Sequence, residues 1–243
     1  MSSLKQRFFD VYLPGLPISA HGTRVVHLTD IHRCKHTADS VISRSVEIAN
    51  SLSPDVIVLT GDFVTEDPAD IPFCASLLSP LQAKWGVFAV LGNHDYTADA
   101  SEVVRQLELT GIEFLINRNI TLPNGLKIVG LDDDREGKIN LSEAHEGVDS
   151  EEPSLTLIHN PAVVEKISER PSLVLAGHTH GGQVDIPPFS DWEIKRIGGK
   201  GYKAGWFNVG RSQMFVNRGI GQVAFPFRFR AAPEVAIFTL FSK

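Results

Sequence analysis

An α/β fold with a largely parallel sheet is predicted by three features of this sequence. Six short runs lack alternation and are dense in β-branched and aliphatic residues, as strands buried on both faces are. Segments with helical spacing separate several of them, and glycine or proline punctuates the joins. The strand-like runs cover residues 24–29, 55–60, 86–91, 126–131, 155–158 and 173–176. Between the first two, Val41, Ser45, Ile48 and Leu52 form a helical stripe flanked by Ile42, Val46 and Ala49, and Pro54 ends it. Further helices are expected over 72–81, over 101–109 before Gly111, and over 162–169. Phe8, Phe9, Val11, Tyr12 and Leu13, followed by Pro14-Gly15, read as an edge strand, with an aromatic foot on a membrane surface as the alternative.

At 243 residues the chain is long enough for one large domain, expected to span residues 1–243. Its 23 Lys and Arg against 29 Asp and Glu give a net charge of -6, which argues against broad binding of nucleic acid by counterion release. Two cysteines, Cys34 and Cys74, are too few for a disulfide framework and read as free thiols of a reducing compartment; Cys34 as a soft ligand is the weaker reading. Asp10, Pro14 and Pro17 interrupt any signal-like core. No run approaches the roughly 18 to 20 apolar residues that cross a bilayer. A cytoplasmic protein is expected, with peripheral contact at the inner face of the membrane left open.

The residues just beyond each strand carry the chemistry. The runs lead into Asp30-Ile31-His32, Gly61-Asp62, Gly92-Asn93-His94-Asp95, His159-Asn160-Pro161 and Gly177-His178-Thr179-His180. Each block alone is equally readable as a turn, a cap or a satisfied polar residue. In parallel sheets, however, ligands gather beyond the carboxyl ends of the strands, so blocks scattered in sequence can converge. Imidazoles, carboxylates and one amide, each at a different strand end, are the inventory two divalent cations require when a carboxylate bridges them. The remaining histidines, His21, His27, His36 and His145, read as ordinary surface or core residues.

In this order the blocks D-x-H, G-D, G-N-H-D, H and G-H-x-H resemble the calcineurin-like metallophosphoesterase superfamily. The stretches "PDVIVLTGDFV", "WGVFAVLGNHDY", "LIHNP", "LAGHTHGGQVDIP", "VNRGIG" and "PEVAIFTL" look closest to its bacterial subfamily of phosphohydrolases and phosphodiesterases. The resemblance implies a four-layer α/β/β/α sandwich and two divalent ions, manganese first, with iron or zinc also suited to the donors. By motif position it assigns Asp30, His32 and His180 to one ion, Asn93, His159 and His178 to the other, and Asp62 to both. It makes His94 a catalytic residue near the phosphoryl group, with Asp95 orienting its imidazole. The implied activity is hydrolysis of a phosphodiester or pyrophosphate by in-line attack of a metal-bridging hydroxide, on a small-molecule or lipid-linked substrate. A nucleotide-lipid pyrophosphatase of the UDP-diacylglucosamine type is the alternative, and an inactive scaffold on the same fold is the rival from another class. The scaffold reading predicts missing ligands, and every ligand position here is filled.

In the last third, Lys200, Tyr202, Lys203, Arg218, Arg228 and Arg230 lie among glycines and aromatics and read mostly as solvated. Arg218, between Asn217 and Gly219, is the candidate for a substrate phosphate contact. Trp192, Trp206, Phe225, Phe227 and Phe229 are expected to pack in the ordinary way, with a lipid-facing groove as the alternative.

Overall fold

A computed structural model describes residues 4–242. The apolar runs form strands at the heart of two sheets. β2 (Arg24–Leu28), β3 (Val56–Thr60) and β4 (Val87–Val90) run parallel, followed by β5 (Ile112–Phe114), and β12 (Glu234–Ser242) joins β2 antiparallel. β1 (Lys5–Leu13) closes that sheet as the expected edge strand, parallel to β12. The second sheet has the order β10 (Gly205–Val209), β11 (Ser212–Val216), β9 (Ser172–Ala176), β8 (Ser154–Leu157), β7 (Lys127–Gly130), β6 (Arg118–Thr121), with β7, β8, β9 and β11 mutually parallel.

The uniform apolarity of the strands now has its reason. In β3, Val56 and Val58 point between the sheets while Ile57 and Leu59 point away from them, so a period of two has both faces buried. Between the sheets, Val25, Val58, Phe88, Leu155, Leu173 and Phe238 form one core. The outer face of the first sheet packs on α1 (Asp39–Ser51), α2 (Ile71–Leu78) and α4 (Ala100–Glu108). The outer face of the second sheet is covered by the short α5 (Leu141–Ala144) and by a 3-10 turn, Pro161–Lys166. The four layers implied by the resemblance are present, the last one thin.

Two expectations change. The helix expected over 162–169 is that 3-10 turn: Pro161 starts it with Asn160 Oδ1 accepting the Ala162 N–H, and β-branched Val163 and Val164 resist a longer α-helix. Strands β5, β6, β10, β11 and β12 lie outside the expected set; runs such as "GWFNV" mix glycine, amide and aromatic residues in an alternating half-exposed pattern.

Phe238 is fully buried and meets Phe9, Phe215 and Trp206 at ring-centroid distances of 5.4, 5.3 and 5.8 Å. Phe238→Ala should cost about 3–5 kcal/mol, read as a lower urea midpoint at unchanged slope. A loss below about 1 kcal/mol would show that this layer collapses around the cavity.

Candidate metal centre

The five blocks meet because both sheets present the carboxyl ends of their parallel strands to one crevice. Hydrogen bonding continues past the strands: the Asp30 N–H donates to the Gly61 carbonyl, His32 to Asp62, and Gly177 to His159, at 3.0, 2.9 and 3.0 Å. Within this frame Asp30, His32, Asp62, His178 and His180 hold φ of 50, 42, 56, 72 and 51°. Left-handed backbone is unfavourable for such residues and persists where the surroundings fix it, which is a mark of functional loops. Gly92 is required by close approach, since a Cβ there would overlap Asp62 Oδ1 and its backbone nitrogen.

Two clusters result. Asp30, His32 and His180 bring one potential ligand atom each to within 4.8 Å of one another, and Asp62, His159 and His178 do the same; His32, Asp62 and His94 form a third overlapping set. Asp62 joins them. Its Oδ1 accepts the His94 N–H at 2.9 Å, while Oδ2 lies 3.2 Å from Nε2 of His32 and 3.2 Å from Nε2 of His159. His180 Nε2 is 3.3 Å from Asp30 Oδ1, and His178 Nδ1 is 3.1 Å from His159 Nε2.

The donor set fits divalent ions. His32 Nε2 and Asn93 Oδ1 are buried and have no hydrogen-bond partner, although a buried polar atom without one is costly. The outer nitrogens are anchored as ligands require: His159 Nδ1–H donates to the Thr60 carbonyl at 2.7 Å and His178 Nε2–H to the Ile197 carbonyl at 2.9 Å. His159 Nε2 and His178 Nδ1 are thereby left as the free donors. His32 Nδ1 meets Thr65 Oγ1 at 3.1 Å, and His94 Nδ1 meets the Thr65 carbonyl at 2.9 Å.

Burial lowers His178 and His180 to about 4, so both are neutral at physiological pH. Burial also works against protonation of His159, but Asp62, with Asp30 and Asp133 behind it, holds this imidazole well above its ordinary range. Burial opposes ionisation of Asp30 and Asp62 as well; His180 beside the one, and His159 and His32 beside the other, keep both below the usual carboxylate range.

Three expectations for individual residues are corrected. Asp95 does not touch the His94 ring: its carboxylate accepts the N–H groups of Asp62, Phe63 and Gly92 at 2.8, 2.8 and 2.9 Å, which pins the Gly92 turn to the Asp62 loop. The His94 ring is oriented instead by Thr65, which nothing in the "GNHD" block reveals. Burial and the Asp62 charge push Asp95 up to about 7. Arg218 is not among the residues lining the cavity: its stem lies beside Gly181 and its Nη1 donates to Glu234 Oε2 at 2.9 Å, so its charge is paired with a buried carboxylate. Arg228 is not solvated but buried, donating to the carbonyls of Gly221, Arg218 and Ala231 and lying 3.1 Å from His180 Nδ1.

Cys34 and Cys74 are free thiols, and Cys34 Sγ faces Thr37 and the Gln222 carbonyl, away from the clusters. His21, His27, His36 and His145 also lie outside the clusters.

Above the clusters opens a cavity of about 480 Å³, reached by Asp62, Asn93 and His94 and walled by Phe189, Ile194 and Phe225. Arg135 supplies positive charge at its wall, and Arg196 lies there paired with Glu193. Neither arginine is singled out by the sequence motifs, although Arg135 lies beyond the end of a strand as the other blocks do.

Residues 23–182 match the family described as calcineurin-like phosphoesterase. The chain belongs to that family. It is 32% identical over 238 residues to the uncharacterized metallophosphoesterase YkuE of Bacillus subtilis, covering 93% of this chain and 81% of that one. It is 32% identical over 229 residues to phosphodiesterase YaeI of Escherichia coli, covering 89% and 82%. With UDP-2,3-diacylglucosamine pyrophosphatase LpxG of Chlamydia trachomatis it shares 27% over 286 residues, covering 93% and 85%. Calcineurin-like phosphoesterases are metal-using hydrolases, and the clustered aspartates and histidines here are suited to hold such ions.

Two outcomes are expected. A metal that takes His159 Nε2 must displace its proton, so Mn²⁺ binding at pH 7 should release at least about one proton per chain in calorimetry across buffers of different ionisation enthalpy. Buffer-independent heats would contradict a protonated His159. Gly92→Ala should lower metal affinity at least about tenfold, because the methyl group displaces Asp62; unchanged Mn²⁺ titration would show that the turn yields freely.

Proposed function

We propose that this calcineurin-like phosphoesterase is a dinuclear metal-dependent hydrolase of phosphodiesters or pyrophosphates. Asp30, His32 and His180 would hold one ion, Asn93, His159 and His178 the other, and Asp62 would serve both. The observation that carries this reading is Asp62 Oδ2, 3.2 Å from one imidazole of each cluster. Nitrogen and oxygen donors without a thiolate suit manganese, iron and zinc alike, and the family resemblance puts manganese first.

Two such ions, when bound, lower the pKa of water enough to supply hydroxide near neutral pH and polarise the phosphoryl oxygens. Asn93 contributes an uncharged oxygen, which limits the negative charge that meets an anionic substrate. His94 lines the cavity with Nδ1–H tied to Thr65, so Nε2 is its free nitrogen; protonated, it is set to stabilise phosphoryl oxygens and to give a proton to the departing oxygen. Asp95 acts at one remove, by fixing the turn that carries Asn93 and His94. Arg135 adds positive charge at the cavity wall, where Arg196 is paired with Glu193.

Phosphorus with a substituent on each side is favoured by the cavity, whose volume of about 480 Å³ exceeds what a bare phosphate needs. The names of YaeI and LpxG support the same preference. A nucleotide-lipid pyrophosphate is the second reading, favoured by the apolar walls at Phe189, Ile194 and Phe225.

Chelator-stripped protein titrated with Mn²⁺ should hydrolyse bis(p-nitrophenyl) phosphate at a rate that saturates near two ions per chain. Asp62→Asn should lose about 100-fold or more of that rate together with bound metal. His94→Ala should keep both ions while kcat falls about 10²- to 10⁴-fold. Full turnover in Asp62→Asn at full loading would overturn the shared carboxylate, and lost metal in His94→Ala would make that residue a ligand.

A further inference from the structure

Beside the metal cavity, two stretches carry large apolar side chains that the fold leaves in solvent, and Phe189 and Phe225 from them enter the cavity wall. Ile186, Phe189 and Trp192 are 51, 51 and 58% exposed, and Phe225, Phe227 and Phe229 are 49, 52 and 49% exposed. This corrects the expectation that the aromatics of this region pack in the ordinary way; Trp206, also partly exposed, packs one side of its ring against Phe9, Phe215 and Phe238. The two stretches form one rim. The Gln183 side-chain amide donates to the carbonyls of Val223 and Phe225 at 2.7 and 3.0 Å, Val184 pairs with Phe229, and both Phe189 and Phe225 line the cavity.

Charge on this rim is sorted. Its acidic groups are occupied: Asp185 and Asp191 by Lys203, and Glu193 by Arg196. Among the described residues, the cations beside it without an acidic partner are Lys195, one turn from Trp192 on α6 (Phe189–Arg196), together with Arg230 and Arg135. Arg196 lies with its guanidinium carbon 5.9 Å from the Trp192 ring centre. A locally cationic, aromatic rim on a chain of net charge -6 is complementary to anionic headgroups over an acyl layer.

Resting on the phosphoesterase reading above, we propose that this rim is a membrane-docking face and that the substrate is a lipid phosphoester taken from an anionic bilayer surface. Its phosphorus would lie at Asp62 and His94, and its apolar part against Phe189, Ile194 and Phe225. Clustered exposure of this kind marks an interaction surface, whereas scattered apolar residues need no explanation. A bilayer is favoured over a second protein because the rim is cationic and shares Phe189 and Phe225 with the cavity wall: a protein seated there would obstruct the site, whereas a bilayer that contains the substrate would feed it. No helix among the described residues is long and apolar enough to span a membrane, so these residues would meet the bilayer from outside.

The test uses the Mn²⁺-loaded protein and Trp192→Ser/Phe227→Ser, whose side chains lie outside the cavity wall. The native protein should cosediment with phosphatidylcholine vesicles containing phosphatidylglycerol, and less so without phosphatidylglycerol or in high salt. The double variant should bind such vesicles at least about tenfold more weakly while hydrolysing bis(p-nitrophenyl) phosphate at the native rate. Native protein that leaves vesicles unbound, or a variant that binds them equally, would overturn the docking face. So would sedimentation velocity showing a native dimer that the variant abolishes, since the rim would then be a contact between copies. The soluble diester reports the catalytic reading and the vesicles report the docking, so each fails separately.

Discussion

A buried carboxylate at the junction of two sheets is the constraint around which this molecule is arranged. Asp62 is 1% exposed, and a charge so placed is tolerated only when opposite charge and hydrogen-bond donors surround it. The His94 N–H takes one oxygen, and the other lies between imidazoles delivered by both sheets. Asp30 and Asp95 are equally buried close beside it, so three carboxylates compete for the compensation available. A protonated His159 supplies part of it in the metal-free chain, and divalent ions would supply far more.

That electrostatic demand explains why the loops are strained and the strands are not. Five of the clustered side chains sit on left-handed backbone, a conformation a free loop would abandon. Here the loop amides and carbonyls extend the strand hydrogen bonding, and Asp95 stitches the Gly92 turn to the Asp62 loop through three backbone N–H groups. The apolar layer between the sheets therefore positions the clusters indirectly. Sliding one sheet over the other would part Asp62 from His159, because they are carried by different sheets.

The same division governs what is legible in the sequence. Asp30, Asp62, Asn93, His159, His178 and His180 can be read because each lies just beyond a run whose uniform apolarity marks a parallel strand, and the carboxyl ends of such strands converge. The orienting groups cannot. Thr65 reaches His32 and His94, Arg228 reaches His180, and Ile197 reaches His178 across gaps of 33, 29, 48 and 19 residues, with no local pattern marking any of them. Arg218 misleads for the same reason: the Glu234 that holds it lies 16 residues on, at the start of β12. Aromatic residues near glycines give no indication of their surroundings, since from similar neighbourhoods in sequence Trp206 packs against Phe9, Phe215 and Phe238 while Phe225 lines the cavity.

The clusters and the rim are joined at one atom. The Ile197 carbonyl, just past the end of α6, accepts the His178 Nε2–H at 2.9 Å and an Arg135 Nη1–H at 3.0 Å. A helix carboxyl end carries partial negative charge, so this position favours an imidazole N–H and a guanidinium alike. Phe189 and Trp192 project from the same helix, with Arg196 at its end. A displacement of α6 would thus move the apolar rim, shift both cavity arginines and loosen the hydrogen bond that fixes the His178 tautomer. Under the docking proposal, whatever settles on the rim would also bear on how firmly His178 is held, coupling the docking surface to the groups that would act on the substrate.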